Sequence, residues 1–222
     1  MTLNPRTKYL QIAFNRSKDI VRKMVRNLPK SENLILEAGT TFVKEYGTES
    51  ITILKDAYYN QHRQDIYCVA DLKSMDRAER EVQEFAKVGT NAITCLGLAP
   101  IETIDLFIEE CEKNNIDSII DMMNVPYPFE ITQKFKKLPK ILLLHRGVDE
   151  GKNRENPIPY KEIHRLKGTY NNLMIAIAGG ENQREVRRSF FNDADITIVW
   201  QELAENTENI KDIVSNYLKF TK

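Results

Sequence analysis

One short run carries most of the chemical promise of this chain: Ala70-Asp71-Leu72-Lys73-Ser74-Met75-Asp76 sets a lysine between two carboxylates. On an extended strand Asp71 and Lys73 point to the same side, while Asp76 falls where a following helix would begin. A lysine between carboxylates is held protonated, which suits it to stabilise or protonate a carbanion. Asp76 has a second reading, as the cap of the helix carrying Val82, Phe85 and Ala86. In isolation, D-x-K is more simply a surface ion pair, so its setting matters. Glu37, Asp121 and the pair His145-Arg146 each end an apolar run, and Asn15 ends the first one. Gathering carboxylates and a lysine at one mouth is costly unless they pair with one another, a metal or a substrate.

The elements that would position these residues recur every few tens of residues. Candidate strands are Tyr9 to Phe14, Leu34 to Glu37, Ile66 to Asp71, Ala92 to Cys95, Ser118 to Met122, Ile141 to His145, Leu173 to Ala178 and Ile196 to Trp200. Amphipathic stretches with apolar residues three and four apart separate them. These include Ser17 to Leu28, Ile101 to Asn114, Thr132 to Lys137, Tyr160 to Tyr170, Gln183 to Phe191 and Thr207 to Phe220. Eight β-α units point to an α/β protein that closes as a single (β/α)8 TIM barrel over residues 1–222, because right-handed crossovers bring each strand beside its predecessor and closure removes both sheet edges. An open doubly wound sheet is the alternative. In a barrel, functional groups cluster at the carboxyl ends of the strands, which is where the charged residues above fall. The loop Gly151 to Pro159, after the sixth strand, is placed to act as a lid.

Composition narrows the partners. The 222 residues are 41% hydrophobic, enough for one barrel-sized core. Lys plus Arg and Asp plus Glu number 32 each, so there is no basic field to hold a nucleic acid or an anionic membrane. Met1 to Tyr9 lacks the apolar run of a signal peptide, and no stretch approaches a membrane span. Cys68, Cys95 and Cys111 are odd in number and form no C-x-x-C pair, which fits a reducing cytoplasm. Cys95 reads as a small buried residue, since no base is assigned to it. His62, in a polar stretch, and His164, on a charged helix, read as solvated bystanders, as does the charged run Arg77 to Glu84.

Five runs together resemble a known family: Leu10-Gln11-Ile12-Ala13-Phe14, Glu37-Ala38-Gly39-Thr40, Ala70 to Asp76, His145-Arg146-Gly147-Val148-Asp149 and Ala176-Ile177-Ala178-Gly179-Gly180. In this order they are similar to the motifs of 3-hexulose-6-phosphate synthases and 3-keto-gulonate-6-phosphate decarboxylases, in the orotidine-5'-monophosphate decarboxylase suprafamily. The resemblance implies Mg2+ held by Glu37 and Asp71, supporting an enediolate, with Lys73 and His145 handling the proton at the reacting carbon. It implies that Asp76 reaches the partner's site in a homodimer, and that Asp121 contacts substrate. Asn15, Arg146, Gly179 and Gly180 are assigned to binding a small sugar phosphate. Glu37 stands where the metal-independent orotidine enzyme has a lysine.

Two positions depart from the family pattern. Asn15 replaces an aspartate, and Trp200-Gln201 replace the Gly-Arg pair that grips the substrate phosphate after the last strand. Tryptophan adds bulk where glycine would let the ligand approach, and glutamine removes a bidentate cation. The expectation is a Mg2+-dependent lyase of the hexulose-phosphate synthase type. A barrel repurposed for binding after losing its phosphate grip is the alternative, and a keto-sugar-acid-phosphate or orotidine-5'-phosphate-type decarboxylase is a third reading.

Overall fold

Alternating inward and outward side chains divide the apolar residues into two layers, and this division organises the molecule. A computed structural model describes residues 2–150, 158–179 and 182–222. Its strands are β1 (Tyr9–Phe14), β2 (Leu34–Ala38), β3 (Tyr67–Ser74), β4 (Ala92–Leu96), β5 (Asp117–Asp121), β6 (Ile141–His145), β7 (Met174–Ala178) and β8 (Ile196–Val199). All pair in parallel and in chain order, and β8 returns to β1 with Ile196 opposite Tyr9, closing the barrel. The open doubly wound alternative is excluded.

Along β1, Leu10, Ile12 and Phe14 face outward into the layer beneath the helices. Tyr9 and Ala13 turn into the barrel to meet Ile35, Val69, Ile119, Leu143, Ala176 and Ile198. The outer layer is covered by α1 (Lys18–Arg26), α2 (Thr40–Tyr46), α3 (Glu49–His62), α4 (Ala78–Ala86), α5 (Ile101–Lys113), α6 (Pro128–Thr132), α7 (Tyr160–Thr169), α8 (Gln183–Phe191), α9 (Gln201–Glu205) and α10 (Ile210–Tyr217). A 3-10 turn, Leu218–Thr221, follows. Among the described residues no helix is long and apolar enough to cross a membrane.

Several boundaries differ from expectation for local reasons. The helix expected at Thr132 to Lys137 lies at Pro128–Thr132 instead, because Pro128, with its fixed φ and no N–H to satisfy, starts it early. The last strand stops at Val199, and Trp200 occupies the N-cap position of α9. The third strand runs on past Asp71 to Ser74. Asp76 does not cap α4: the N-cap position falls on Arg77, with no side-chain hydrogen bond to the helix. His62 ends α3 rather than lying in solvent, half-buried with its ring 4.4 Å from that of Tyr58. Burial lowers its pKa. His164 is exposed and Cys95 is buried, as expected, and Cys68 and Cys111 are buried as well. Residues 151–157 of the expected lid, and Gly180, lie outside the described residues.

Candidate active site

The carboxyl ends of the strands open into a cavity of about 440 Å3. Gln11, Asn15, Glu37, Asp71, Lys73, Thr94 and His145 supply much of its polar lining. Ala176, Ala178, Ile198, Val199 and Trp200 line the side formed by β7 and β8.

Lys73 is the hub. Its Nζ lies 3.0 Å from the Asp71 carboxylate and 2.9 Å from Oδ2 of Asp121. Burial works against the ammonium, but the two carboxylates outweigh it and push its pKa well above the usual lysine value. Asp121 Oδ2 also meets Nδ1 of His145 at 2.8 Å, and Asp121 Oδ1 accepts the Met123 N–H at 3.0 Å. Although burial would raise the Asp121 pKa, its bonds to His145 and Lys73 carry it below the ordinary carboxylate value. Burial likewise opposes the His145 imidazolium, but the bond to Asp121 and its charge hold the pKa above the ordinary value. With Nδ1 engaged, Nε2 is the ring atom left to meet a substrate.

Asp121 is fully buried and lies beneath the cavity, not on its lining. The substrate contact expected of it from the sequence is not part of this wall. Its oxygens meet Lys73, His145 and Met123, so it supports two groups of the site.

On the β2 side, Glu37 accepts a 2.5 Å hydrogen bond from Nε2 of Gln11. Burial first, and then the negative charge of Asp71, push the Glu37 pKa up to about 7. Asp71 itself accepts from Thr40 Oγ1 at 2.5 Å, from Thr94 Oγ1 at 2.8 Å and from Lys73. Gln11, Thr40 and Thr94 were not anticipated from sequence. Gln11 and Thr40 lie within the runs that carry the family resemblance but were given no role there, and Thr94 had only inward parity, which polar neighbours with no function share.

Among the described residues no group of three or more His, Cys, Asp or Glu side chains is arranged to hold a metal. Glu37 and Asp71 are two hard carboxylates in one cavity, with Glu37 protonated more readily because of its burial and then its neighbour's charge. A divalent cation that takes one or two carboxylates and completes its shell with water or substrate oxygens fits that donor set.

The remaining expected residues separate. Asn15 lines the cavity, and its Oδ1 accepts from Thr41 Oγ1 at 2.8 Å and from Thr41 N–H at 3.3 Å, serving the open first turn of α2. Gly39 leaves room for this: a Cβ there would stand 2.3 Å from Asn15 Oδ1. Arg146 reaches across to β7, its Nη2 donating to the Gly179 carbonyl at 2.7 Å. Gly179 has φ +102°, and a Cβ on it would lie 2.7 Å from the Arg146 carbonyl oxygen, so a larger residue is excluded on both counts. Trp200 and Gln201 line the cavity where the Gly-Arg pair was expected. Asp76 does not join the cluster; it is exposed beside a shallow groove with Arg77, Arg80 and Glu102.

The Orotidine 5'-phosphate decarboxylase / HUMPS family profile matches residues 8–199. The chain is 37% identical over 217 residues to a bifunctional enzyme Fae/Hps of Methanocella arvoryzae, covering 96% of this chain and 52% of that protein. It thus spans about half the length of the curated relatives it matches. Among solved structures, it resembles a 3-hexulose-6-phosphate synthase with TM-score 0.80 at 21% identity, covering 96% of this chain and 100% of the other. A KGPDC from Streptococcus mutans in complex with D-R5P gives TM-score 0.73 at 17% identity, with 96% and 99% covered. Likeness at this identity speaks to the barrel fold.

Proposed function

Because this chain belongs to the Orotidine 5'-phosphate decarboxylase / HUMPS family, we propose that it is a carbon–carbon lyase of the 3-hexulose-6-phosphate synthase type, adding formaldehyde to a pentulose phosphate and cleaving the product in reverse. The observation that carries this reading is Lys73 Nζ, held at 3.0 and 2.9 Å by Asp71 and Asp121 with its positive charge toward the cavity.

In the addition, a proton leaves the hydroxymethyl carbon of the ketose, and the electron pair left behind delocalises onto the adjacent carbonyl oxygen. That carbon then bonds to formaldehyde, whose oxygen gains the proton. The Lys73 ammonium stabilises the oxygen that gains charge. His145 Nε2 takes and returns the proton, with Asp121 fixing the ring through Nδ1. Glu37 and Asp71 would hold Mg2+, which when bound would supply positive charge to stabilise the anionic intermediate. Asn15, Arg146 and Gly179, which line the cavity, would bind the rest of the sugar phosphate.

Asp76, exposed on the rim, is proposed to reach the site of a second copy in a homodimer. A cytoplasmic setting belongs to the same reading and agrees with three free, buried cysteines. One observation favours a second reading, a barrel repurposed for another ligand: Trp200 and Gln201 occupy the wall where a phosphate would be gripped. The decisive test is ribulose 5-phosphate and formaldehyde turnover by wild type and Lys73→Ala. Activity retained in the variant would overturn the role given to Lys73.

A further inference from the structure

We propose that Thr94 is a positioning residue for Lys73: its hydroxyl holds the lysine main chain in a left-handed turn, from which the ammonium reaches both Asp71 and Asp121. The kinetic consequence rests on the carbon–carbon chemistry proposed above, whereas the geometric claim does not.

The turn arises from a break in strand pairing. Between β3 and β4 the register runs Val69 opposite Ala92 and Ala70 opposite Ile93, then resumes with Ser74 opposite Cys95. Four steps along β3 are thus matched by two along β4, so the intervening residues bulge out of the ladder. Within the bulge the Lys73 N–H donates to Thr94 Oγ1 at 2.9 Å, a side-chain acceptor in place of a β4 carbonyl. Lys73 has φ +50°, a conformation unfavourable to a residue with a side chain, which persists only when its surroundings impose it.

The same hydroxyl donates to Asp71 Oδ1 at 2.8 Å, so one oxygen ties the lysine backbone to the carboxylate that its own ammonium contacts. Thr94 is suited to this because it is buried, at 2% exposure, and its β-branch restricts the side-chain rotamer. Without the hydroxyl, a part-buried N–H loses its partner and the left-handed turn loses a contact that holds it. The four-carbon stem of Lys73 would then start from a different place, and catalysis is sensitive to displacements of about 1 Å.

Two variants separate the hydroxyl from the shape. Thr94→Val keeps the branch and loses the hydrogen bonds, while Thr94→Ser keeps the hydroxyl. We expect kcat for pentulose phosphate plus formaldehyde to fall about 10- to 100-fold in Thr94→Val with KM within about threefold of wild type, and Thr94→Ser to recover most of it. Amide hydrogen exchange, which needs no turnover, should show Lys73 protected in wild type and Thr94→Ser but exchanging at least about tenfold faster in Thr94→Val. Should Thr94→Val not fold, Thr94→Ala is judged by the same two readouts. Wild-type kcat or unchanged Lys73 protection in the hydroxyl-free variant overturns the proposal, as does an equal loss in Thr94→Ser. If wild type itself fails to turn over these substrates, the functional reading falls and the exchange comparison alone decides the role of Thr94.

Discussion

Oδ2 of Asp121 lies 2.8 Å from Nδ1 of His145, and the carboxylate that makes this contact is wholly buried. A carboxylate in that position has two effects on the imidazole. It fixes which nitrogen faces the cavity, and its charge offsets the burial that would otherwise discourage protonation. The same carboxylate holds Lys73, so the proton-transfer group and the charge-stabilising group share one anchor.

Asp121→Asn should therefore shift His145 to a lower pKa, since the charge that raises it is removed while burial remains. Imidazole NMR titration measures this directly, and an unmoved midpoint would show that Asp121 is not the cause. Turnover should fall about 100-fold or more, because the ring loses both its orientation and its support for the protonated form.

Lys73→Ala should reduce turnover by at least about 1000-fold, the scale of losing a buried electrostatic group together with its hydrogen bonds. It also leaves Asp71 and Asp121 without their shared cation, at a cost to stability of about 3 kcal/mol at neutral pH. Denaturant unfolding checks the second half. Because Lys73 helps hold the Asp121 pKa below its ordinary value, the loss should shrink as pH falls and Asp121 protonates, and a constant loss across pH would contradict this assignment of charges.

Glu37 predicts a pH dependence of opposite sign to the usual carboxylate. Its pKa in the fold is about 7 against an ordinary 4.5, so the protonated form favours folding. That contribution is fully present below about 4.5 and is lost as pH rises through 7, on the order of 3 kcal/mol in total. In metal-free buffer, wild-type stability relative to Glu37→Gln should decline across this window. Added Mg2+ at pH 8 should raise the melting temperature of wild type but not of Glu37→Gln. Equal Mg2+ effects in both would remove Glu37 from the metal site.

Trp200 and Gln201 set the expected phosphate affinity. Restoring glycine and arginine together, Trp200→Gly with Gln201→Arg, should tighten ribulose 5-phosphate binding by about tenfold or more, since a bidentate cation and an open backbone are regained. Calorimetry with D-ribulose as the unphosphorylated control isolates the effect. A gain equal for both sugars would mean that the wall has opened without a phosphate contact being restored.

The fold was readable because period-two strands and amphipathic helices are local patterns: Leu10, Ile12 and Phe14 face outward as their spacing requires. Glu37, Asp71, Lys73 and His145 were readable because strand ends are local too. Support between strands was not. Thr94 meets Lys73 and Asp71 only through the β3–β4 register, and one strand in isolation carries no record of it. Simple alternation put Lys73 beside Asp71, yet the backbone arrives there through a left-handed bulge. Asp121 shows the other limit: parity sent it inward, but the depth that separates a supporting carboxylate from a substrate contact depends on its neighbours' length.

The most direct measurement is to mix the purified protein with ribulose 5-phosphate and formaldehyde, with and without Mg2+, following binding by calorimetry and formaldehyde loss in the same buffer. The proposed function predicts binding and formaldehyde consumption that both require Mg2+ and both disappear in Glu37→Gln. Absence of binding and turnover in wild type with Mg2+ present would contradict it and leave the repurposed barrel as the better account.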